Sequence, residues 1–474
     1  MLVRKICEDF KKANQSHVFQ FFDTLTKEEQ KKLLEQAKLI NLEHIQKFYF
    51  QSKQAYKINS CSARNLETPP YIRLPKKDKD FKLWKQAYFK GEEILKNGRV
   101  AVVTVAGGQG TRLGFQGPKG AYKITPIKNK SLFQVFAEKI ISAIHRYNKP
   151  IHWFIMTSEI NHKATLTFFK KNIFFGFNKK NIHFLKQGLI PAIDFNGKII
   201  LSNRGSIAMS PGGHGGIFRT LVNSGAIKTM NLLKIDTLSY FQVDNPLVQC
   251  IDPAFIGFHH QYRSEMSSKM IIKDYAEEKV GIFVIQDGKL TIREYSDLSN
   301  NLLLKKTNNG KIYFSAGNPA IHILDCSFVQ NLGKFYFNRL PYHKINKKIK
   351  TIDKLGNHFN PKRANGIKFE QFVFDALSIA RNPIIVQVSR ENEFSPIKNI
   401  NGKDSLKTCR NSQLKKHESW LRSVGYKVEV DKEGVPILPI EISPRFADTK
   451  DHFLEAWHKL KKKPSIQSDL LYFE

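Results

Sequence analysis

Cysteine is scarce in this chain. The five cysteines, Cys7, Cys61, Cys250, Cys326 and Cys409, are scattered, odd in number and never spaced as CxxC. That excludes a disulfide framework or a zinc knuckle and suits a reducing compartment, so a cytoplasmic protein is expected. No apolar run approaches the ~18 residues needed to span a bilayer. The amino-terminal stretch MLVRKICEDFKK is charged throughout and lacks the apolar centre of a signal peptide. Acidic residues are few, 42 Asp+Glu against 76 Lys+Arg, which leaves a net charge of +34. Such a charge favours anionic ligands. Yet the lysines run along the whole chain, and no RNP aromatic motif, C2H2 spacing or basic zipper occurs, so no specific nucleic-acid partner is expected. There is no internal repeat and no long low-complexity segment. What remains is a 474-residue chain, 41% hydrophobic and 25% charged, with the composition of an ordinary folded protein.

Three regions follow from the patterning: 1–98, 99–390 and 391–474. The first reads as mainly helical. Thr26 and Glu29 form a capping box ahead of Leu33, Leu34 and Ala37 at helical spacing, and Thr68-Pro69-Pro70 is a break. At Val100 the character changes to Val100-Ala101-Val102-Val103-Thr104-Val105, a β-branched run expected of a strand buried on both faces. Ser131 and Gln134 then open a helix, and apolar runs at 151–156 and 182–185 alternate with helical patterns. Strand, helix, strand, helix, strand predicts a parallel sheet covered by helices. A further strand is predicted to end at Asp244, a hairpin to turn at Asp287-Gly288, and a helix to span Gly366 to Ala380 with Ile367, Phe372, Val373, Ala376 and Leu377 inward. The last region mixes helix and extended segments and is predicted to be a small α/β lobe.

A glycine-rich stretch follows the first buried strand directly: Ala106-Gly107-Gly108-Gln109-Gly110-Thr111-Arg112-Leu113-Gly114, leading to Pro118-Lys119-Gly120. The carboxyl end of a parallel strand is where open α/β sheets bind ligands, and glycines let backbone N–H groups approach phosphate oxygens. A Walker A loop is excluded because no Lys-Ser or Lys-Thr pair follows, and the dinucleotide fingerprint is excluded because Gly114 falls one residue too late. Arg112 offers a bidentate fork and Lys119 a second cation, a pair suited to a triphosphate whose departing half gains charge. Asp244, at the end of an apolar strand, is the natural Mg²⁺ ligand or else the cap of the following turn.

These features, with the blocks VAGGQGTRLGFQGPKG (105–120), QGLIPAID (187–194), PGGHGGIFRTL (211–221), QVDNPLVQCIDPAFIGFH (242–259), FSAGNPAIHI (314–323), NGIKFEQFVFD (365–375) and RENEFSPIKN (390–399), give a chain that resembles the UDP-sugar pyrophosphorylases, and most of all those acting on N-acetylglucosamine. The resemblance implies a central mixed, largely parallel, Rossmann-like nucleotidyltransferase sheet between the helical and carboxyl-terminal regions. It implies uridylyl transfer from UTP to a hexose 1-phosphate with Mg²⁺, or Mn²⁺ as a substitute, and no covalent intermediate. It places Arg112, Lys119 and Lys398 on the phosphates as catalytic cations. It places Gly107, Gly108, Gly110, Thr111, Gln187 and Gly213 around the nucleotide, Gln187 on the uracil. It places His214, Gly215, Glu294, Tyr295, Asn318, Phe372 and Phe374 near the sugar, and Asp244 on the metal. Two positions depart from the N-acetylglucosamine pattern: His214 replaces the usual Asn of a GNGG loop, and Pro319 follows the AGN block. Transfer to glucose 1-phosphate or another hexose 1-phosphate therefore stays open, as does an idle relative that binds RNA or acidic surfaces through its charge.

Overall fold

The computed structural model describes residues 2–46, 49–50, 65–336, 339–461 and 469–474. Cys61 lies outside them. The contacts divide the chain into two interleaved compact units. One is built from 1–66, 187–216 and 338–375, the other from 67–186, 217–337 and 376–474. The segment 1–98 is thus shared between them. Among the described residues no helix is long and apolar enough to cross a membrane.

The larger unit carries the central sheet. The strand Val100–Val105 lies between Thr237–Gln242 and His152–Thr157, with Ile182–Lys186 beyond, and all four run parallel. Their apolar, β-branched residues suit a sheet covered on both faces, and Val100, Ala101, Val102 and Val103 are buried. On the other side of Thr237–Gln242 the sheet turns mixed. His322–Asp325 runs antiparallel to it, Met266–Ile272 runs antiparallel to that, and Ile384–Gln387 runs parallel to Met266–Ile272. The expected hairpin pairs Gly281–Gln286 with Lys289–Arg293, and Asp287 (φ 51°) and Gly288 (φ 73°) take the left-handed values of a tight primed turn. Ser131 caps the helix Leu132–Tyr147 by accepting from the Gln134 N–H. The carboxyl-terminal residues add the helices Leu406–Ser423 and Lys450–Lys459 and a parallel pair, Ile440–Ile442 with Leu471–Phe473, around Trp420, Phe453, Trp457 and Phe473.

The smaller unit packs the helices Leu2–Lys12 and Lys27–Lys38 with short strands around Phe10, Val18, Leu33, Ala37, Ile193, Leu201, Ile367 and Phe369. The Thr26–Glu29 capping box is present. The predicted helix from Gly366 to Ala380 is not. Gly366–Glu370 is instead a strand between His343–Lys347 and Ile193–Asp194, followed by a 3₁₀ turn over Val373–Ser378. Ile367 and Phe369 fall at alternate positions and both point into the core, the period of a strand and not of a helix.

Candidate functional site

In the larger unit the site begins with register. Gln242 pairs with Val105, so the two parallel strands end level, and the glycine loop and Asp244 leave the sheet side by side. The loop folds back on itself. Gly110 N–H donates to the Gly117 carbonyl at 2.9 Å and Lys119 N–H to the Gly108 carbonyl at 3.1 Å. That return places the Lys119 ammonium 3.2 Å from the Asp244 carboxylate. Burial would push the Asp244 carboxyl up, but the nearby Lys119 and Lys398 ammonium groups outweigh it and hold its pKa below the ordinary carboxylate value. Lys398 arrives from a distant segment. Ile397 N–H donates to the Asp244 carbonyl at 2.9 Å, and the Lys398 Nζ lies 3.7 Å from Asp404. One carboxylate thus faces two lysines from separate loops.

Two residues that sequence reasoning passed over fix the loop. Ser158 Oγ donates to the Gly107 carbonyl at 2.8 Å, and Asn161 Nδ2 donates to the carbonyls of Ala106 at 2.8 Å and Gly108 at 3.1 Å. Both side chains are buried. With its carbonyls tied down behind, the loop leaves Gly108 exposed, and a Cβ there would meet no atom within 4 Å. The buried S-x-x-N after the strand His152–Thr157 was the available signal. Thr111 and Arg112 are exposed on the turn Thr111–Leu113.

Glu294, Tyr295 and Asn318 also lie in this unit. Asn318, buried, pairs across the sheet with Gly281, and a Cβ on Gly281 would lie 3.8 Å from both Asn318 and the Glu294 carboxylate. Glu294 and Asn318 are thereby brought together about a glycine that sequence reasoning did not single out. Tyr295 is half-buried on the adjoining turn. Pro319 is followed by Ala320 at φ 59°, whose N–H is held by the Asn318 side chain at 2.9 Å.

The smaller unit collects Gln187, Gly213, His214, Gly215, Phe372 and Phe374. Gln187 donates its amide to the Gly213 carbonyl. Gly215 N–H donates to the Gln371 carbonyl at 2.7 Å and Gln371 N–H to the Gly212 carbonyl at 2.8 Å, which locks this loop against 370–373. His214 Nδ1 accepts from Val373 N–H at 3.1 Å, so the neutral ring carries its proton on Nε2. Its ring stacks on Phe372, with centroids 5.1 Å apart and planes at 15°. Phe374 lies tilted at 5.7 Å. His343 also stacks on Phe372, with centroids 4.2 Å apart, and its Nε2 lies 2.9 Å from Asp375. Sequence reasoning did not single out His343.

Among the described residues no three His, Cys, Asp or Glu side chains cluster to cage a metal. A lone carboxylate kept ionised beside two lysines still fits Mg²⁺, which takes one or two carboxylates and fills its shell with phosphates and water.

Comparison with known proteins identifies the family. The family model for UTP–glucose-1-phosphate uridylyltransferase matches residues 41–423. The UDP-N-acetylglucosamine pyrophosphorylase of Saccharomyces cerevisiae is 34% identical over 447 residues, 90% of this chain and 92% of that one. A Xenopus tropicalis protein named UDP-N-acetylhexosamine pyrophosphorylase-like protein 1 is 33% identical over 441 residues, 90% of this chain and 86% of that one. The crystal structure of the Trypanosoma brucei uridine diphosphate N-acetylglucosamine pyrophosphorylase, 24% identical, covers 100% of this chain and 98% of its own with a TM-score of 0.84, a likeness of fold. The resemblance carried by the sequence blocks is thereby established, and the chain belongs to the UTP–glucose-1-phosphate uridylyltransferase family.

Proposed function

We propose that the chain transfers the uridylyl group of UTP to N-acetylglucosamine 1-phosphate. A phosphate oxygen of the sugar phosphate attacks the α-phosphorus of UTP, the bond from that phosphorus to the β-phosphate bridging oxygen breaks, and pyrophosphate leaves. The observation that carries this reading is the Lys119–Asp244–Lys398 cluster beside an open glycine loop at the carboxyl ends of parallel strands.

The chain's own groups do two things in such a step. The loop N–H groups, the exposed Arg112 and the half-buried Lys119 hold the triphosphate and take up the charge that grows on the departing pyrophosphate. Lys398 orients the attacking phosphate, which turns a bimolecular encounter into a positioned one. Asp244 would hold Mg²⁺, or Mn²⁺ in its place, and the ion when bound supplies charge neutralisation at the phosphates. Its carboxylate stays ionised through the neutral range because the lysines beside it depress its pKa. Gln187 and Gly213 are assigned to the nucleotide, and His214, Gly215, Glu294, Tyr295, Asn318, Phe372 and Phe374 to the sugar. We place the reaction in the cytoplasm, supported by the absence of a disulfide at Cys7, Cys250, Cys326 and Cys409.

His214 and Pro319 favour a second reading, the same transfer to glucose 1-phosphate or another hexose 1-phosphate. A protonated Nε2 on a larger ring offers one donor where an Asn amide offers donor and acceptor together. Pyrophosphate release from UTP and Mg²⁺ with a panel of sugar 1-phosphates, with and without EDTA, separates the two. The expected result is fast release with the N-acetylglucosamine substrate, abolished by EDTA. Glucose 1-phosphate more than about tenfold faster overturns the sugar assignment, since one pocket change shifts discrimination by that order. No release with any of the sugar 1-phosphates overturns the transferase reading.

A further inference from the structure

Asp244 and Lys398 sit on two loops that leave the sheet from different strands, Thr237–Gln242 and Ile384–Gln387. Their spacing therefore depends on whatever joins the loops. The Ile397 N–H donating to the Asp244 carbonyl at 2.9 Å is one tie. The others run through buried polar side chains.

Asn245, next to Asp244, spans the gap with both ends of its amide. Its Nδ2 donates to the Glu393 carbonyl at 2.6 Å, and its Oδ1 accepts from Ser395 N–H at 3.0 Å. The Glu393 carboxylate reaches back. One oxygen accepts from Gln249 N–H at 3.0 Å, and the other is bonded to the Lys269 ammonium. Lys269 stands on the strand Met266–Ile272, is 0% exposed, and pairs also with Asp252 at 2.7 Å. Lys139, buried, donates to the carbonyls of Pro246 at 2.6 Å and Val248 at 2.7 Å, so it clamps the Asp244 loop from the helix Leu132–Tyr147. The buried Lys269 ammonium thus faces two carboxylates, Glu393 and Asp252, while Lys139 is held by carbonyls.

A buried ion network is a poor way to gain stability, because desolvating the ions costs about as much as their attraction returns. What it supplies is geometry. Each hydrogen bond tolerates only a few tenths of an ångström, and every member is satisfied. Apolar packing between two loops would allow them to slide.

We propose that Asn245, Glu393 and Lys269 are positioning residues for the transfer, holding the Asp244 loop and the Lys398 loop in a single register. The proposal rests on the reading that Asp244 and Lys398 act on the reacting phosphates. It goes beyond that reading by assigning the accuracy of their placement to a buried frame that touches no substrate.

The test uses the full chain and a double-variant cycle. Asn245→Ala is expected to lower kcat by roughly 100-fold, the scale of a misplacement near 1 Å, and to leave the KM for UTP within about threefold, since the triphosphate is held by the glycine loop. Lys398→Ala should lower kcat on its own. In the Lys398→Ala background the Asn245→Ala change should cost less than about tenfold, because residues acting through one another are not additive. A merely structural role would reduce the folded fraction equally in both backgrounds. The proposal is overturned if Asn245→Ala keeps kcat within about twofold, or if its effect is the same in both backgrounds. Wild-type kinetics for Lys398→Ala would instead overturn the reading of Lys398 and the proposal with it. Glu393→Gln keeps the side chain's shape and is expected to show the same pattern of kcat and KM, so the frame stays testable even if Asn245→Ala folds poorly.

Discussion

Two glycine loops stand out among the described residues, and Gly108 of one is there for a different reason from Gly213 and Gly215 of the other. In the loop 212–216 the constraint comes from the protein. A Cβ on Gly213, already at φ 81°, would overlap the Gln371 carbonyl oxygen, and one on Gly215 would come 2.7 Å from the Gln371 backbone. In the loop 106–120 Gly108 is crowded by nothing, since a Cβ there would face open space. Its carbonyl is bonded from behind by Asn161 and by the returning Lys119 N–H. Packing explains the first pair of glycines. It also explains Gly110 and Gly120 of the loop 106–120, where a Cβ would meet Phe115 at 2.6 Å or Phe133 at 2.2 Å, and it leaves Gly108 without a reason inside the chain. Motif strings with similar glycine content therefore carry different information, and only the environment separates them.

That contrast can be broken experimentally. The largest effect is expected at Gly108→Ala, where kcat/KM for UTP should fall by roughly 100-fold, as for loss of a positioned phosphate contact. Its stability to urea should change by no more than about 0.5 kcal/mol, as for an uncrowded surface site. A stable, fully active variant would erase the contrast. Gly213→Ala should do the reverse and cost about 1–3 kcal/mol of stability through overpacking, read as a lower urea midpoint. Asn161→Ala sharpens the comparison. It removes the donor behind the loop 106–120 and should cost about 1–2 kcal/mol while raising the KM for UTP, and an unchanged KM would show that the loop holds its shape unaided.

The smallest effect concerns the scaffold. Burial pushes His259 and His417 down to about 3. Their unfolded pKa is near 6.5, so below that value the unfolded chain binds protons that the folded chain refuses. Their contribution is present above pH ~6.5 and is lost as the pH falls toward about 3. His417→Gln should flatten the fall in stability on acidification, and an unchanged slope would contradict the assignment.

Much of the larger unit was legible because its signals are local. A β-branched run of six residues, Val100–Val105, reads as a doubly covered strand without knowledge of its neighbours, and Asp287-Gly288 specifies its own turn. The stretch after Gly366 was misread for a physical reason. A strand followed by a 3₁₀ turn places Ile367, Phe372, Val373, Ala376 and Leu377 at spacings that imitate a helical face. The strand that pairs with Gly366–Glu370, His343–Lys347, is polar and largely exposed, so nothing in it announced a partner. At the site, Lys119 and Asp244 were readable from their blocks. The joining role of Asn245, Glu393 and Lys269 was not, because it exists only once three distant segments have met.

The most direct measurement follows the α-phosphorus. UTP labelled there is incubated with N-acetylglucosamine 1-phosphate, Mg²⁺ and the purified chain, and the products are separated. Uridylyl transfer sends all of the label into UDP-N-acetylglucosamine and leaves the pyrophosphate unlabelled. Label in pyrophosphate, or no labelled nucleotide sugar, would contradict it.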